Sequence, residues 1–347
     1  MSKTDEWSCR RAEIIAQAQT YELGEKPGRP DSITGAFKDG SLTVTVSQGD
    51  ITKSFVAKVE YPTTGSGPYP AIIGVGGIAL GVPQLKELGV ATITFPNDVI
   101  AEQRDGSSRG IGLFYDIYGA NHKAGAMVAW AWGVSRLIDA LERTPEANID
   151  PTRLGVTGCS RNGKGALIAG AFDERLVLTI PQESGSGGAA CWRVSDAQKA
   201  AGENVQTLSQ ITGENVWFTN TFRQFGTHAT RLPFDHHMIQ GLVAPRALLI
   251  VENTAQIWLG NISTYTCSMA AHSIWEALGL PDKMGYSQVN NSAHCGWSGN
   301  QQPEVTAYVE KYLIGGGTTD TRVLKTDGGY TFDTNTWLDW TVPALER

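Results

Sequence analysis

The stretch Leu154-Gly-Val-Thr-Gly-Cys-Ser-Arg-Asn-Gly-Lys-Gly-Ala-Leu167 constrains the fold more than any other part of the chain. It opens as the apolar material of a buried strand and ends as a helix, so the backbone must reverse sharply between the two. Gly158 and Gly163 remove the side chains that would collide in so tight a reversal, and Ser160 is left at its tip. A serine so placed presents its hydroxyl at the end of a sheet, where a nucleophile stands. The pattern departs from G-x-S-x-G, since Asn162 occupies the position of the second glycine and Gly163 follows it. The plainer alternative is a serine in an ordinary turn. The strand before it and the helix after it favour the nucleophile.

Further short runs at 71–75, 91–95, 176–180 and 247–251 are mostly apolar and read as continuous, as in parallel strands covered on both faces. The runs at 42–46 and 55–61 alternate instead and predict an opening antiparallel pair. Between the runs, 122–141 and 263–278 carry apolar residues at three- and four-residue steps, which predicts long buried helices. The alternation implies a three-layer αβα sandwich with a mostly parallel central sheet, and the sharp turn at Ser160 makes it the α/β-hydrolase fold. No repeat, charge block or Ser/Thr/Pro-rich linker divides the 347 residues. One catalytic domain over 1–347 is expected, with no separate carbohydrate-binding module. The stretch 185–220, Gly-rich and then polar, and the stretch 254–263 are expected to wall the site.

A nucleophilic serine needs a base, and in this fold the histidine comes last along the chain. His294 qualifies: it sits in Ser292-Ala-His-Cys-Gly296, after a short strand at 285–289 and before a helix at 303–313. His122 at the opening of a long helix, and His228, His236, His237 and His272, suit capping, core or structural roles. The acid stays open on the residues alone. Glu252 ends the run 247–251, where this fold most often carries it, while Glu183 ends the run 176–180 and leads into a Gly-rich loop. If Ser160 and His294 meet, their neighbours Cys159 and Cys295 come within disulfide reach. Helical Cys267 is then free to pair with Cys191, which leaves Cys9; buried free thiols are the alternative. The cysteines form no C-x-x-C pair and the histidines no H-E-x-x-H, so neither metal nor cofactor is expected.

Composition excludes other classes. With 28 basic and 35 acidic residues the net charge is −7, which offers no attraction to nucleic acid or an anionic membrane surface. No window approaches eighteen uncharged apolar residues, and residues 1–7 lack the apolar stretch of a signal peptide. Ten Trp, forty Gly and the prospect of disulfides point to an extracellular, glycan-handling protein, with its export signal missing from this chain. A monomer is expected.

The segment Gly158-Cys-Ser-Arg-Asn-Gly-Lys-Gly165 resembles the nucleophile motif of the glucuronoyl esterases, carbohydrate esterase family 15. The likeness to fungal members extends through Phe114-Tyr-Asp-Ile-Tyr-Gly119, Gln182-Glu-Ser-Gly-Ser-Gly-Gly188, Glu214-Asn-Val-Trp217 and Leu232-Pro-Phe-Asp-His-His237, and so over almost the whole chain. The resemblance implies a secreted serine esterase, acting through an acyl-enzyme. The substrate it implies is the ester between 4-O-methyl-D-glucuronic acid of glucuronoxylan and lignin alcohols. It also implies Glu183 as the acid of the triad, Arg161 in the oxyanion hole, and Lys164, Gln206, Glu214 and Trp258 around the glucuronoyl ring. Its disulfides correspond to Cys159 with Cys295 and Cys191 with Cys267. Lys164, one helical turn beyond Ser160, suits a place at the pocket mouth.

Two departures are visible. Fungal members pair the cysteine of a Trp-x-Cys-Arg-Arg stretch with one further upstream, absent here, so Cys9 is expected to be unpaired. After His294-Cys295 the family often has Phe-Pro, whereas this chain has Gly296-Trp-Ser-Gly-Asn300, and a different pocket rim is expected. The competing readings are an acetylxylan-type or other serine carboxylesterase, a peptidase, or a catalytically inactive glycan-binding relative. An intact Ser, His and Glu set favours the enzyme.

Overall fold

The computed structural model describes residues 1–291 and 293–346; Ser292, in the His294 loop, and Arg347 lie outside the described residues. Ten strands are described: β1 (Ser32–Lys38), β2 (Ser41–Gln48), β3 (Ile51–Glu60), β4 (Tyr69–Val75), β5 (Ala91–Phe95), β6 (Ile149–Cys159), β7 (Leu176–Gln182), β8 (Ala247–Glu252), β9 (Met284–Gln288) and β10 (Leu324–Thr326). They form one sheet in the order β1-β2-β3-β5-β4-β6-β7-β8-β9-β10. β1, β2, β3 and β5 pair antiparallel in turn, and every pairing from β5 through β4 to β10 is parallel. The fold is that of the α/β-hydrolases, as the sequence implies.

Burial follows the strand patterns. In β2 alternate residues Leu42, Val44 and Val46 are buried, whereas every residue of β8 and β9 is buried. Successive residues of a central strand face opposite layers. Leu248 and Ile250 of β8 thus enter one hydrophobic core, and Leu249 and Val251 the other. β1 was not anticipated. Ile33 is its one buried residue, so the run carries almost no hydrophobic signal.

The long helix expected from residue 122 starts later, at Ala126, and runs to Leu141 with every residue buried. Gly125 precedes it in an extended conformation, and a Cβ there would collide with the backbone carbonyl of Trp217. His122 therefore lies in the preceding turn, where its Nδ1 accepts a bond from the Ala124 N–H at 3.1 Å. The second long helix is Asn261–Ala277. The stretch 185–220 is not open loop: it contains the helices Trp192–Ala200 and Leu208–Glu214. A disulfide between Cys191 and Cys267, with Cα atoms 5.3 Å apart, ties this stretch to helix Asn261–Ala277. Cys9 is exposed and free. No helix among the described residues is long and apolar enough to cross a membrane.

Candidate active site

β6 delivers the chain to Ser160, which adopts φ 60° and ψ −127° before the helix Arg161–Phe172 begins. The reversal is close enough that a Cβ on Gly158 would collide with the Asn162 carbonyl, and one on Gly163 would lie 2.6 Å from the Gln182 carbonyl oxygen. The Ser160 N–H donates to that same Gln182 carbonyl at 2.9 Å, which holds the turn against β7. Asn162, where a glycine is usual, has a job of its own. Its Oδ1 accepts from Asn97 Nδ2 at 3.2 Å and from Gln103 Nε2 at 3.1 Å, pinning the first turn of the helix to the loop after β5.

β7 ends beside this turn, and Glu183 follows with φ 45°. Its Oε2 accepts from His294 Nδ1 at 2.7 Å and from the Cys295 N–H at 3.1 Å. A carboxylate on Nδ1 puts the proton there and leaves Nε2 as the free acceptor. The imidazole also meets the Trp258 ring edge-on, with centroids 4.9 Å apart. The Cys159–Cys295 disulfide, with Cα atoms 5.7 Å apart, fastens the His294 loop directly to the residue before Ser160. Ser160 and His294 line one cavity of about 160 Å³ and make no direct hydrogen bond to each other in this structure.

Five non-glycine residues adopt positive φ among those described, and Ser160, Glu183 and Cys295 are three of them. Such conformations cost about 1–3 kcal/mol each and persist where the surroundings over-determine them. Here those surroundings are the elbow, the end of β7 and the disulfide.

Glu252 does not reach His294. It is buried, and its Oε1 accepts from the Ser184 N–H at 3.0 Å and the Ser184 hydroxyl at 3.3 Å. Burial, with Glu183 nearby, pushes its carboxyl up to about 8.

The same cavity gathers Arg161, Lys164, Gln206, Glu214 and Trp258, all anticipated, and adds Ile211 and Trp217. Lys164 is buried rather than at the mouth, and its Nζ donates to the Ser184 carbonyl at 2.5 Å. Burial lowers its ammonium to about 8, against the opposing pull of Glu214 and Glu252. Gln206 Nε2 donates to Glu214 Oε2 at 3.2 Å, while Gln206 Oε1 is buried without a partner in the protein. The Gln206 N–H donates to the Trp258 carbonyl at 3.0 Å, so the two walls are joined by backbone. Trp217 lies beneath both cations, its ring 5.3 Å from the Arg161 guanidinium carbon and 5.8 Å from Lys164 Nζ. Trp217 belongs to the resembling segment Glu214-Asn-Val-Trp217, which is the signal for it, although the sequence reading does not single it out as a site residue. Among the described residues no group of three or more His, Cys, Asp or Glu is arranged to hold a metal ion.

An α/β-hydrolase sheet, a serine at its sharpest turn and a carboxylate-bound histidine beside it define a hydrolase of the serine type. A family model described as "Glucuronyl esterase, fungi" matches residues 44–279. The 4-O-methyl-glucuronoyl methylesterase of Hypocrea jecorina is 51% identical over 341 residues, 98% of this chain and 72% of that protein. The enzyme of the same name from Podospora anserina is 51% identical over 351 residues, 99% and 72% of the two chains. The solved glucuronoyl esterase catalytic domain from Hypocrea jecorina matches with a TM-score of 0.96 at 50% identity, covering 100% of this chain and 93% of that one. A serine-to-alanine mutant of the Sporotrichum thermophile glucuronoyl esterase, solved in complex with methyl 4-O-methyl-β-D-glucopyranuronate, matches with a TM-score of 0.94 at 46% identity over 99% and 92%. This chain belongs to the fungal glucuronoyl esterases, which are carboxylic ester hydrolases.

Proposed function

We propose that this esterase cleaves the bond between 4-O-methyl-D-glucuronic acid of glucuronoxylan and lignin alcohols, with Ser160, His294 and Glu183 as its triad. The observation that carries the roles is the 2.7 Å bond from His294 Nδ1 to Glu183, which leaves Nε2 free on a ring that lines the same cavity as Ser160. Ser160 Oγ attacks the uronate carbonyl carbon while His294 Nε2 takes its proton. The backbone N–H and guanidinium of Arg161 hold the oxyanion of the tetrahedral intermediate. His294 then gives the proton to the departing alcohol, and the uronate is left esterified to Ser160. Water, deprotonated by the same imidazole, releases the free carboxylate and restores the serine.

Lys164, Gln206, Glu214 and Trp258 hold the uronate ring. The unpartnered Gln206 Oε1 is an acceptor ready for a ring hydroxyl, and Trp258 offers an apolar face to the sugar. The enzyme works as a secreted monomer of one catalytic domain, without cofactor and without nucleic-acid or membrane partners. Support for the extracellular setting is the pair of disulfides, which are rare in reducing compartments. The test is hydrolysis of benzyl glucuronate beside benzyl galacturonate and p-nitrophenyl acetate. A strong preference for the glucuronate is expected, and equal rates on the two uronates would overturn the assignment.

A further inference from the structure

A second polar cavity, of about 100 Å³, lies behind the wall of the active-site cavity. The two share the segment 211–218: Ile211, Glu214 and Trp217 line the first cavity, while Thr212, Asn215 and their neighbours line the second. Arg109 and Arg223 also line the second cavity, and no carboxylate does. In a chain where acidic residues outnumber basic ones, neither arginine forms an ion pair among the described residues. Arg109 Nε is buried and has no hydrogen-bond partner within the protein. The polar groups around the pair are hydroxyls and amides, on Thr212, Asn215, Thr219 and Asn220 in the cleft and on Tyr115 against the Arg109 guanidinium. Two guanidinium groups facing one small polar cleft, with no internal counter-charge, form the donor set of an oxyanion site.

We propose that this cleft is an anion subsite that takes the free carboxylate of a second uronate on the same polysaccharide. The choice of a uronate rests on the glucuronoyl reading above. The cleft and the cavity that Ser160 lines are bounded by different residues of the Leu208–Glu214 helix, Thr212 and Gly213 on one and Ile211 and Glu214 on the other. The cleft is also wired to the elbow. Asn215 Nδ2 donates to the Gln103 carbonyl and Trp217 Nε1 to Gln103 Oε1, at 2.8 and 2.9 Å. Gln103 in turn donates to Asn162, two residues after Ser160. An anion bound on Arg109 and Arg223 therefore orders the wall that carries Glu214 and Trp217, and positions a polyuronated chain over the cavity.

Titration calorimetry of sodium sulfate into the Ser160→Ala protein reads the cleft without requiring any ester to be the right substrate. Single-site binding is expected, and Arg223→Gln and Arg109→Gln should each weaken it about tenfold or more. Arg223 is exposed, so its variant keeps the test alive if Arg109→Gln fails to fold. Absence of binding, or binding that Arg223→Gln leaves intact, overturns the site. The source of the anion is read from two xylo-oligosaccharides that each carry one benzyl glucuronoyl ester, one of them with a second, free glucuronate. In the Arg223→Gln protein the kcat/KM ratio favouring the doubly acidic substrate should collapse toward one. A ratio that is the same in both proteins overturns the uronate assignment. If neither ester is cleaved at all, it is the glucuronoyl reading that fails, and the sulfate result still decides the cleft.

Discussion

Glu183 and Glu252 stand at the ends of adjacent parallel strands, at the same level of the sheet, where Gln182 pairs with Val251. They end up in opposite circumstances. After β7 the backbone turns into positive φ, which swings the Glu183 carboxylate to His294 and the Cys295 N–H. β8 keeps its extended course through Glu252, whose carboxyl goes under the neighbouring loop to Ser184 and is pushed up to about 8 by burial. Two acids at one level of the sheet thus part company, one carboxylate bonded to His294 and the other carboxyl holding a loop. The position of an acid along the chain does not decide which of these it becomes.

The reference effect is the loss of the reacting pair itself. Ser160→Ala and His294→Ala should each lower kcat on a glucuronoyl ester by about 10⁴-fold or more, and the double variant should be no worse than either. Retention of a tenth of the wild-type rate by folded Ser160→Ala would place the nucleophile elsewhere. Against that ceiling, Glu183→Gln should cost roughly 10³–10⁴-fold in kcat, because the amide no longer fixes the tautomer. Glu252→Gln should cost less than about tenfold, since its amide oxygen still accepts from Ser184. A reversed order would break the comparison outright.

The disulfide beneath the comparison should matter for stability. Replacing Cys159 and Cys295 together by serine should remove about 2–4 kcal/mol, seen as a drop in the denaturation midpoint. Thiol counting in denaturant without reductant should find one thiol in the unaltered protein, that of Cys9. In the pocket, Lys164→Ala and Glu214→Ala should lower kcat/KM on glucuronoyl esters by about 10–100-fold and hardly affect p-nitrophenyl acetate. Equal losses on both substrates would make these residues supports of the fold. The smallest effect is in the pH dependence of stability. The carboxyl of Glu252 holds its proton more tightly in the folded chain, so its contribution is full below its ordinary value of 4.5 and is lost as pH rises through about 8. Denaturant midpoints compared at pH 5 and pH 8 should therefore fall further for the wild type than for Glu252→Gln, by on the order of 1–3 kcal/mol in stability.

How much of this was legible in the sequence depends on how local each cause is. The cores of β4 to β8 were readable because burial on both faces leaves mostly apolar runs. β1, with Ile33 alone buried, and the three-residue β10 leave no such trace. The start of the first long helix was misplaced because Gly125 is fixed by the Trp217 backbone, far along the chain. The elbow and His294 were visible as local patterns, and the cysteines beside them as a consequence of their meeting. The two acids were not separable from the residues alone, since the backbone turn at Glu183 is set by loops from distant segments; resemblance separated them. Asn162 was noticed as an irregularity, but its partners Asn97 and Gln103 lie some sixty residues away and carry no motif. The anticipated place of Lys164 at the mouth also gave way, because the Ser184 carbonyl draws its ammonium inward.

The bond between Cys159 and Cys295 joins points 136 residues apart in sequence. Most proteins open locally far more often than they unfold, and the pieces of an active site then drift apart. Here, β7, β8 and the segments between them can loosen without the nucleophile and its base becoming strangers, because the residues next to each remain one covalent link apart. The base then stays at the high effective concentration of a short tether rather than that of a 136-residue loop. The return from such an excursion is then a local search instead of a refolding event.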